Sequence, residues 1–322
     1  MIFDYVEIEK YIPAKVKPNF GYLVDTENVN FGYRKFIFDG MSNLSIYWHE
    51  QNRFLRIRGS LPYAFQKHNF NFTNQDVREA GKYLEEFLGL TLFDAMVTTF
   101  EAGIWLEVPF SPDAYFRFHE RIKSMKTISF DRGRYFEDSI LKVKMYDAGY
   151  NLKTKTSSDV RFALQSDFGY SEDLNYLKIE NHYKKPEIQF KQRPIQLLDL
   201  TYEEFTERCK IDLLATYQSI VKTPTMSMPT DKKNLSSSTI PLIALKQLEQ
   251  KFGFNTEVEI LAILKSIPKD VLSSEDRKKR KKQLLENLGK ISSPTDGLNL
   301  FDVSDLLRKK LEVEEENIKM FQ

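Results

Sequence analysis

The sequence predicts an α+β fold: a mixed, mainly antiparallel sheet with packed helices, followed by a helical C-terminal region. Stretches in which apolar and polar residues alternate with period two, as in half-buried strands, are interleaved with stretches of helical spacing. Aromatic residues are concentrated in the N-terminal part, because all 16 Tyr, both Trp and 21 of the 25 Phe precede residue 223. The rest of the chain has mainly helical patterns.

The first elements to be assigned are two strands that form a hairpin. Leu44–Glu50 and Phe54–Leu61 flank a polar stretch at 51–53. Arg56 and Arg58 alternate with apolar residues in the second strand, so one face of this hairpin is expected to be basic.

Two helices are predicted after the hairpin. Thr73 and Asp76 have the spacing of a capping box, and Gly89 suits the C-terminal end of the same helix. A strand-rich stretch follows at 93–108, and a Ser-Pro pair then opens a second helix that is expected to span 111–125.

Most of the next segment is expected to be extended. Residues 135–150 predict strands with a tight turn at 147–149, and 160–165 and 174–183 predict two further strands joined by a turn at Gly169. Helical spacing resumes afterwards and predicts helices at 201–221, 240–252, 256–266, 274–288 and 302–311.

A linker separates two predicted domains. The segment 223–239 is rich in Pro, Ser and Thr and has no periodicity. The sequence therefore predicts an α+β domain at 1–222 and a helical C-terminal domain at 240–322.

Composition and charge exclude several classes of protein. The chain has 322 residues, 41% of them hydrophobic, and its 47 Lys and Arg balance 46 Asp and Glu. This composition excludes a disordered chain, and the small net charge means that a nucleic acid would have to bind through local patches. Cys209 is the only cysteine, which excludes an internal disulfide and favours a reducing, intracellular setting.

The sequence gives no sign of a membrane segment. No run approaches the roughly 20 apolar residues that span a bilayer, and acidic residues occur too early for a signal peptide. We expect a soluble, cytoplasmic protein without a membrane partner.

Familiar catalytic signatures are missing from the sequence. It contains no P-loop, GxGxxG, GxSxG, HExxH or paired CxxC motif, and its four histidines are scattered. Carboxylates remain as the expected metal ligands, and carboxylate oxygens suit Mg²⁺ or Mn²⁺.

Glu101 is the first candidate ligand. Alternation within 98–108 places it in a largely apolar strand, where an unpaired carboxylate is costly. The alternative is a strand glutamate that faces solvent or pairs with an arginine.

Tyr146 is the candidate nucleophile. Alternation places it on one strand face with Lys142 and Lys144, and nearby positive charge favours the phenolate. The alternative is a tyrosine that only packs in the sheet.

A third strand carries Lys178, Glu180 and His182 on one face. A carboxylate beside a histidine suits metal binding or proton transfer, and the alternative is a solvated strand face with alternating charges. Together with Glu101 and Tyr146, these residues form a minimum set for metal-assisted transesterification of a phosphodiester.

A cluster of six cations lies on one predicted C-terminal helix. Such a run would bind a phosphate backbone without sequence preference, and the alternatives are a solvated helix face or neutralisation by the acidic stretch 312–316. Its members are Arg277, Lys278, Lys279, Arg280, Lys281 and Lys282.

The order of segments over residues 40–220 resembles the rolling-circle replication initiators of plasmids and filamentous phages. The resemblance lies in Gly-Ser-Leu at 59–61, VTTFEAGIWLEVP at 97–109, YFEDSILKVKMYDAGYNLK at 135–153 and LKIENHYK at 177–184. The third segment is similar to the family's strand-and-turn pattern L-K-I-Y-D-K-G, which carries or adjoins the nucleophilic tyrosine.

The resemblance implies roles for single residues. Tyr146 would be the nucleophile, assisted by Lys144 and His182, and Glu101 and Glu180 would bind Mg²⁺ or Mn²⁺. Ala148 stands where the family usually has Lys, a phosphate contact that Lys144 or Lys153 would then supply. Tyr150 begins a Tyr-x-x-Lys pattern and is the rival nucleophile.

The implied function is initiation of rolling-circle replication by a plasmid- or phage-encoded protein in a bacterial cell. The protein would bind origin duplex and single-stranded DNA, act as a homodimer, and nick one strand to leave a 5′-phosphotyrosyl link. The expected phosphate contacts are Arg56, Arg58, Lys142 and Lys153, in addition to the basic run.

Two other functions fit the same sequence. The first is a non-catalytic regulator or origin-binding protein on the same fold, which the departure at Ala148 favours. The second is a protein-interaction module whose C-terminal helices bind a host helicase or another protomer.

Overall fold

The computed structural model describes residues 2–21, 23–29, 32–38, 41–191, 193–222, 239–242, 244–245, 256–268, 270–291 and 301–312. Its strands are β1 (Ile2–Tyr11), β2 (Leu23–Val29), β3 (Tyr33–Phe38), β4 (Met41–His49), β5 (Phe54–Ser60), β6 (Met96–Val108), β7 (His119–Arg121), β8 (Lys126–Phe130), β9 (Gly133–Glu137), β10 (Leu141–Asp147), β11 (Asn175–Tyr183) and β12 (Val221–Lys222). Its helices are α1 (Leu61–Gln66), α2 (Asn74–Leu88), α3 (Pro112–Phe118), α4 (Ala148–Lys155), α5 (Ser158–Phe168), α6 (Pro186–Gln189), α7 (Glu203–Gln218), α8 (Thr256–Ser266), α9 (Ser274–Ile291) and α10 (Ser304–Leu311).

One large sheet organises the fold and confirms the α+β prediction. Within the described residues it has ten strands in the order β2-β3-β4-β5-β1-β6-β11-β10-β9-β8, and every pair in it is antiparallel. The order β2-β3-β4-β5-β1 in one half matches β8-β9-β10-β11-β6 in the other. The sheet therefore consists of two halves of equivalent connectivity that meet where β1 pairs with β6.

Apolar side chains cover one face of this sheet because successive strand residues point to opposite faces. In β6, Phe100, Ala102 and Leu106 are buried, as are Val143 in β10 and Ile179 in β11. Helices α2, α7 and α10 contact the central strands β1 and β6. The core lies between these helices and the sheet.

Helix α2 begins and ends where the sequence predicted. The Thr73 hydroxyl accepts the Asp76 N–H, and the Asp76 carboxylate accepts the Thr73 N–H, which completes the capping box. Gly89 ends the helix in the left-handed conformation at φ +65°. The predicted hairpin is confirmed as β4 and β5.

Three local predictions were wrong. The helix expected at 111–125 ends at Phe118, where the chain turns into β7. The tight turn at 147–149 is the start of α4, because the Asp147 carboxylate caps that helix at the Tyr150 N–H. The strand expected at 160–165 lies within α5, which is capped by Ser157 and ends at Gly169.

Other predictions concern the chain ends. The sequence analysis assigned no element before residue 44, where β1, β2 and β3 lie. The helices predicted at 256–266, 274–288 and 302–311 correspond to α8, α9 and α10. Most of the helix predicted at 240–252 lies outside the described residues.

The chain divides into two compact units. The first contains residues up to Val221 together with the segment that begins at Val303, where α10 contacts α7. The second spans Lys222–Asp302 and contains α8 and α9, with a small core at Leu242 and Leu288. Among the described residues, no helix combines the length and apolarity needed to cross a membrane.

Candidate active site

Three carboxylates converge where the two halves of the sheet meet. Asp4 of β1, Glu101 of β6 and Glu180 of β11 are buried, and each offers an oxygen within 4.8 Å of the others. Gly103 makes this approach possible, because it lies opposite Glu180 in the β6–β11 register. A Cβ at Gly103 would lie 2.4 Å from the Glu180 Cβ.

Two lysines connect these carboxylates. The Lys144 Nζ lies 2.5 Å from Glu101 Oε1 and 2.9 Å from Glu180 Oε1. The Lys178 Nζ is fully buried and lies 2.8 Å from Asp4 Oδ2 and 2.7 Å from Glu180 Oε2. Five buried or partly buried charges therefore form one network, which we call the acid–lysine cluster.

The cluster holds Glu180 and both lysines in their charged forms. Burial alone would raise the pKa of Glu180, but the ammonium groups of Lys178 and Lys144 outweigh it and lower that pKa to about 2. Burial alone would lower the pKa of both lysines. The neighbouring carboxylates outweigh burial, so the pKa of Lys144 is raised and that of Lys178 is raised well above its ordinary value.

Tyr146 belongs to the same cluster. Its hydroxyl donates to Glu180 Oε2 at 3.1 Å, and the Lys178 Nζ lies 5.7 Å from its ring centroid. Burial and the Glu180 charge raise the pKa of Tyr146 well above its ordinary value, against the opposing effect of Lys178. The net effect is opposite to the expected stabilisation of the phenolate, because burial and the Glu180 charge outweigh the nearby lysine charge.

His182 and two polar side chains complete the hydrogen bonding of the acids. The His182 Nδ1 lies 2.5 Å from Glu101 Oε1. Ser60, which also caps α1, donates to Asp4 Oδ1 at 2.5 Å, and Asn69 donates to Asp4 Oδ2. The Asn69 Oδ1 is buried and has no hydrogen-bond partner among the described residues.

The cluster opens into a cleft of about 590 Å³, which we call the acidic cleft. Several residues that line it were not candidates from the sequence, among them Asp4, Arg132, Tyr135 and Lys155. Tyr135 lies opposite Lys144 in the β9–β10 register, and burial raises its pKa. The available signal was its place at the start of the alternating pattern that contains Tyr146.

Asp4 was missed because its contacts are remote in sequence. Alternating Val6, Glu7, Ile8 and Glu9 would have indicated a strand, but an irregularity in the β1–β6 pairing between Phe3 and Val6 breaks the pattern next to Asp4.

The structure does not bring all the predicted residues into the cleft. Tyr150, the rival nucleophile, is 43% exposed on α4 beneath the Arg132 guanidinium and does not line the acidic cleft. Lys153 projects from the same helix and pairs with Glu172 at 3.3 Å. Lys142 lies on the face of β10 that carries Lys144, 3.6 Å from Glu137.

The two predicted arginines of the hairpin lie on the half of the sheet formed by β1–β5. Arg56 pairs with Glu9 and Glu7, so its charge is balanced locally. Arg58 is exposed, donates to the Tyr47 hydroxyl at 3.0 Å and stacks over that ring.

The basic run lies on α9 in the second unit. Lys278, Lys279, Arg280, Lys281 and Lys282 are exposed, as a phosphate-binding face requires. Arg277 differs, because its guanidinium donates to backbone carbonyls at the end of α8, including those of Leu264 and Lys265. Its role in the structure is to join two helices.

The donor set of the acidic cleft fits a hard divalent cation. Three carboxylates and the unpartnered Asn69 Oδ1 are the oxygen ligands that Mg²⁺ and Mn²⁺ prefer. The Lys144 ammonium already bridges Glu101 and Glu180, so a cation at these two residues would compete with it.

Comparison with protein-family models, with curated proteins and with solved structures finds no match to this chain.

Proposed function

We propose that the protein nicks one strand of DNA by metal-assisted transesterification, as an initiator of rolling-circle replication. The observation that carries the proposal is the convergence of three carboxylates, Lys144 and Tyr146 in one open cleft, with the buried Lys178 paired to two of the carboxylates. Phosphodiester transesterification needs a nucleophile and positive charge around the phosphate, and this cleft contains both.

In the proposed reaction, the Tyr146 oxygen attacks the phosphorus and the bond to the 3′-oxygen breaks. The products are a 5′-phosphotyrosyl link and a 3′-hydroxyl, which takes up a proton from solvent. Glu180 Oε2 accepts a hydrogen bond from Tyr146 and orients its hydroxyl, whose proton passes to solvent. A Mg²⁺ or Mn²⁺ ion held by Asp4, Glu101 and Glu180 would stabilise the negative charge on the phosphate oxygens.

Lys144 has a positioning and electrostatic role in this proposal. Its ammonium group remains protonated because Glu180 and Glu101 raise its pKa. A cation held by these carboxylates would release Lys144 from its ion pairs, and its ammonium group would then be available to the phosphate. Arg132 and Lys155 line the same cleft and add positive charge for the DNA backbone.

Tyr135 is the second tyrosine of the acidic cleft and the competing nucleophile. Its side chain is partly exposed, and it lies on β9, the strand that pairs with the Tyr146 strand β10. The Lys142 Nζ lies 4.4 Å from its ring centroid. Tyr146→Phe should abolish nicking and Tyr135→Phe should leave it largely intact. The reverse result would keep the function and reassign the nucleophile.

The proposed function also includes binding of the origin duplex, dimerisation and a protein partner. The exposed cations of α9 supply affinity for the origin duplex, which should fall steeply with salt. Action as a homodimer and recruitment of a host helicase follow from the resemblance to replication initiators.

The proposal is tested by incubating supercoiled plasmid that carries the DNA flanking the gene with protein and Mn²⁺ or Mg²⁺. Nicked circles should form with the wild type and fall on the order of 100-fold or more with Glu101→Gln or Glu180→Gln. Glu86→Gln is the matched control, because Glu86 is exposed on α2, away from the cleft. Equal nicking by all variants would refute the site.

A non-catalytic DNA-binding protein is the second candidate. It is favoured by the Lys144 and Lys178 ammonium groups, which give each of the three carboxylates an ion-pair partner without any metal ion. Retained duplex binding without nicking in either metal would establish this alternative.

A further inference from the structure

A second cavity adjoins the acidic cleft and shares one wall with it. This cavity, which we call the aromatic pocket, has a volume of about 410 Å³, within the roughly 300–1,000 Å³ typical of ligand pockets. Trp105 of β6 lines both the acidic cleft and the aromatic pocket. A molecule that enters one cavity therefore lies next to the other.

The walls of the aromatic pocket are rings that contact one another in tilted and edge-on arrangements. The Phe70 ring centroid lies 5.1 Å from that of Trp105 and 5.7 Å from that of Phe168, and the Trp105 and Tyr176 centroids lie 6.1 Å apart. Phe168, at the end of α5, is 42% exposed. Stacking of a nucleobase on such rings contributes about 1–3 kcal/mol per base.

Trp105 also presents an unused hydrogen-bond donor. Its side chain is only 7% exposed, and its Nε1–H has no partner among the described residues. A buried donor without an acceptor costs about 1–3 kcal/mol, so a ligand that supplies an acceptor recovers this energy. Glu107 lines the same pocket as an exposed acceptor, and Lys310 lines it as an exposed cation.

A nucleotide matches this combination of groups. Its base has a flat face for stacking and an edge that carries both hydrogen-bond acceptors and donors, and its phosphate suits a lysine. We propose that the aromatic pocket binds one unstacked nucleobase of the single strand whose phosphodiester lies in the acidic cleft. This inference rests on the proposed nicking function and names how the scissile strand is held.

Unstacking a base also suits the chemistry of the cleft. Enzymes that act on DNA commonly extrude a nucleotide into a pocket, at a cost of a few kcal/mol that pocket contacts offset. A base held at Trp105 would fix the adjoining backbone relative to the acid–lysine cluster. The pocket would then select single-stranded or melted DNA over intact duplex.

The test uses an oligothymidylate with one 2-aminopurine, in EDTA so that no strand is cut, and follows the change in 2-aminopurine fluorescence. Phe168→Ala should weaken binding about 5- to 150-fold, the equivalent of the stacking energy. Phe162→Ala is the matched control, because Phe162 is 73% exposed on the same helix and does not line the pocket. Equal binding by both variants, or no binding by the wild type, would overturn the proposal.

Two further measurements test recognition of the base edge and distinguish strand binding from a free-nucleotide site. Glu107→Gln should change the relative affinity for 2-aminopurine and thymine, since it alters the acceptor that faces the base edge. Free 2-aminopurine deoxyribonucleoside monophosphate should bind at least tenfold more weakly than the oligonucleotide, and equal affinity would indicate a free-nucleotide site instead. Base binding without nicking would refute only the nicking function, and nicking unaffected by Phe168→Ala would refute only the pocket.

Discussion

Replacing Lys178 with methionine removes one charge from the acid–lysine cluster and keeps most of the side-chain volume. Lys178 is fully buried and contacts both Asp4 and Glu180 at less than 3 Å. Without its ammonium group, two buried carboxylates lose their nearest compensating charge. We expect the folded state to lose stability and to gain affinity for divalent cations.

The magnitude can be estimated in two ways. Removing one partner of a buried ion pair costs about 3–5 kcal/mol. The pKa of Glu180, about 2 against an ordinary 4.5, corresponds to about 3 kcal/mol of favourable interaction, and Lys178 is the larger of its two lysine contributors. We therefore expect Lys178→Met to lower the free energy of unfolding by about 3–5 kcal/mol.

The assay is urea unfolding followed by circular dichroism, with and without Mn²⁺. Lys142→Met is the matched control, because Lys142 is partly exposed, lies 3.6 Å from Glu137 and should contribute less than about 1 kcal/mol. Mn²⁺ at 100 times its Kd should raise the free energy of unfolding of Lys178→Met by about 3 kcal/mol. A loss below about 1 kcal/mol, or no recovery with Mn²⁺, would refute the reasoning about the buried carboxylates.

Three further predictions concern Glu180, the glycine that lies opposite it and the capping box of α2. The charged form of Glu180 is favoured in the folded state, so its contribution is complete above pH 4.5 and lost as the pH falls towards 2; urea midpoints should fall over this window in the wild type and less in Glu180→Gln. Gly103→Ala should lower the melting temperature by several degrees because its Cβ would clash with Glu180, whereas Gly149→Ala, with 3.5 Å to its nearest neighbour, should not. Thr73→Ala should cost about 1 kcal/mol in urea unfolding through loss of the α2 capping box, and no change would contradict that role.

Local signals in the sequence were sufficient for several elements. The capping box at Thr73 and the glycine at 89 define α2 through contacts between residues close in the chain. Period-two alternation was sufficient for β10 and β11, because it reports which side chains share a face. It placed Lys144 beside Tyr146, and Glu180 beside His182.

Period-two alternation gave a wrong prediction where the pattern is short enough to fit either a strand or a helix. Residues 160–165 alternate like a strand but lie within α5, and a run this short does not distinguish the two periods. Ser157 and Gly169, which cap that helix, were the stronger signals.

Partners across the sheet could not be read from periodicity. Asp4 and Lys178 are separated by 174 residues and meet only because β1, β6 and β11 are neighbours. Alternation gives the face of a side chain and not its partner, so it indicates only that Lys142 and Lys144 flank Tyr146. In the structure Lys144 is paired with Glu101 and Glu180, and Lys142 lies 3.6 Å from Glu137.

The proposed function requires that a tyrosine of the acidic cleft becomes joined to DNA. The most direct test is to incubate wild-type protein with flanking plasmid DNA and Mn²⁺, digest both, and identify the modified peptide by mass spectrometry. We expect a nucleotide attached to Tyr146 that is absent from Glu180→Gln, and an adduct on Tyr135 would keep the acidic cleft as the active site but make Tyr135 the nucleophile. An adduct on Tyr150 or on any residue outside the cleft, or nicking without an adduct, would contradict the claim.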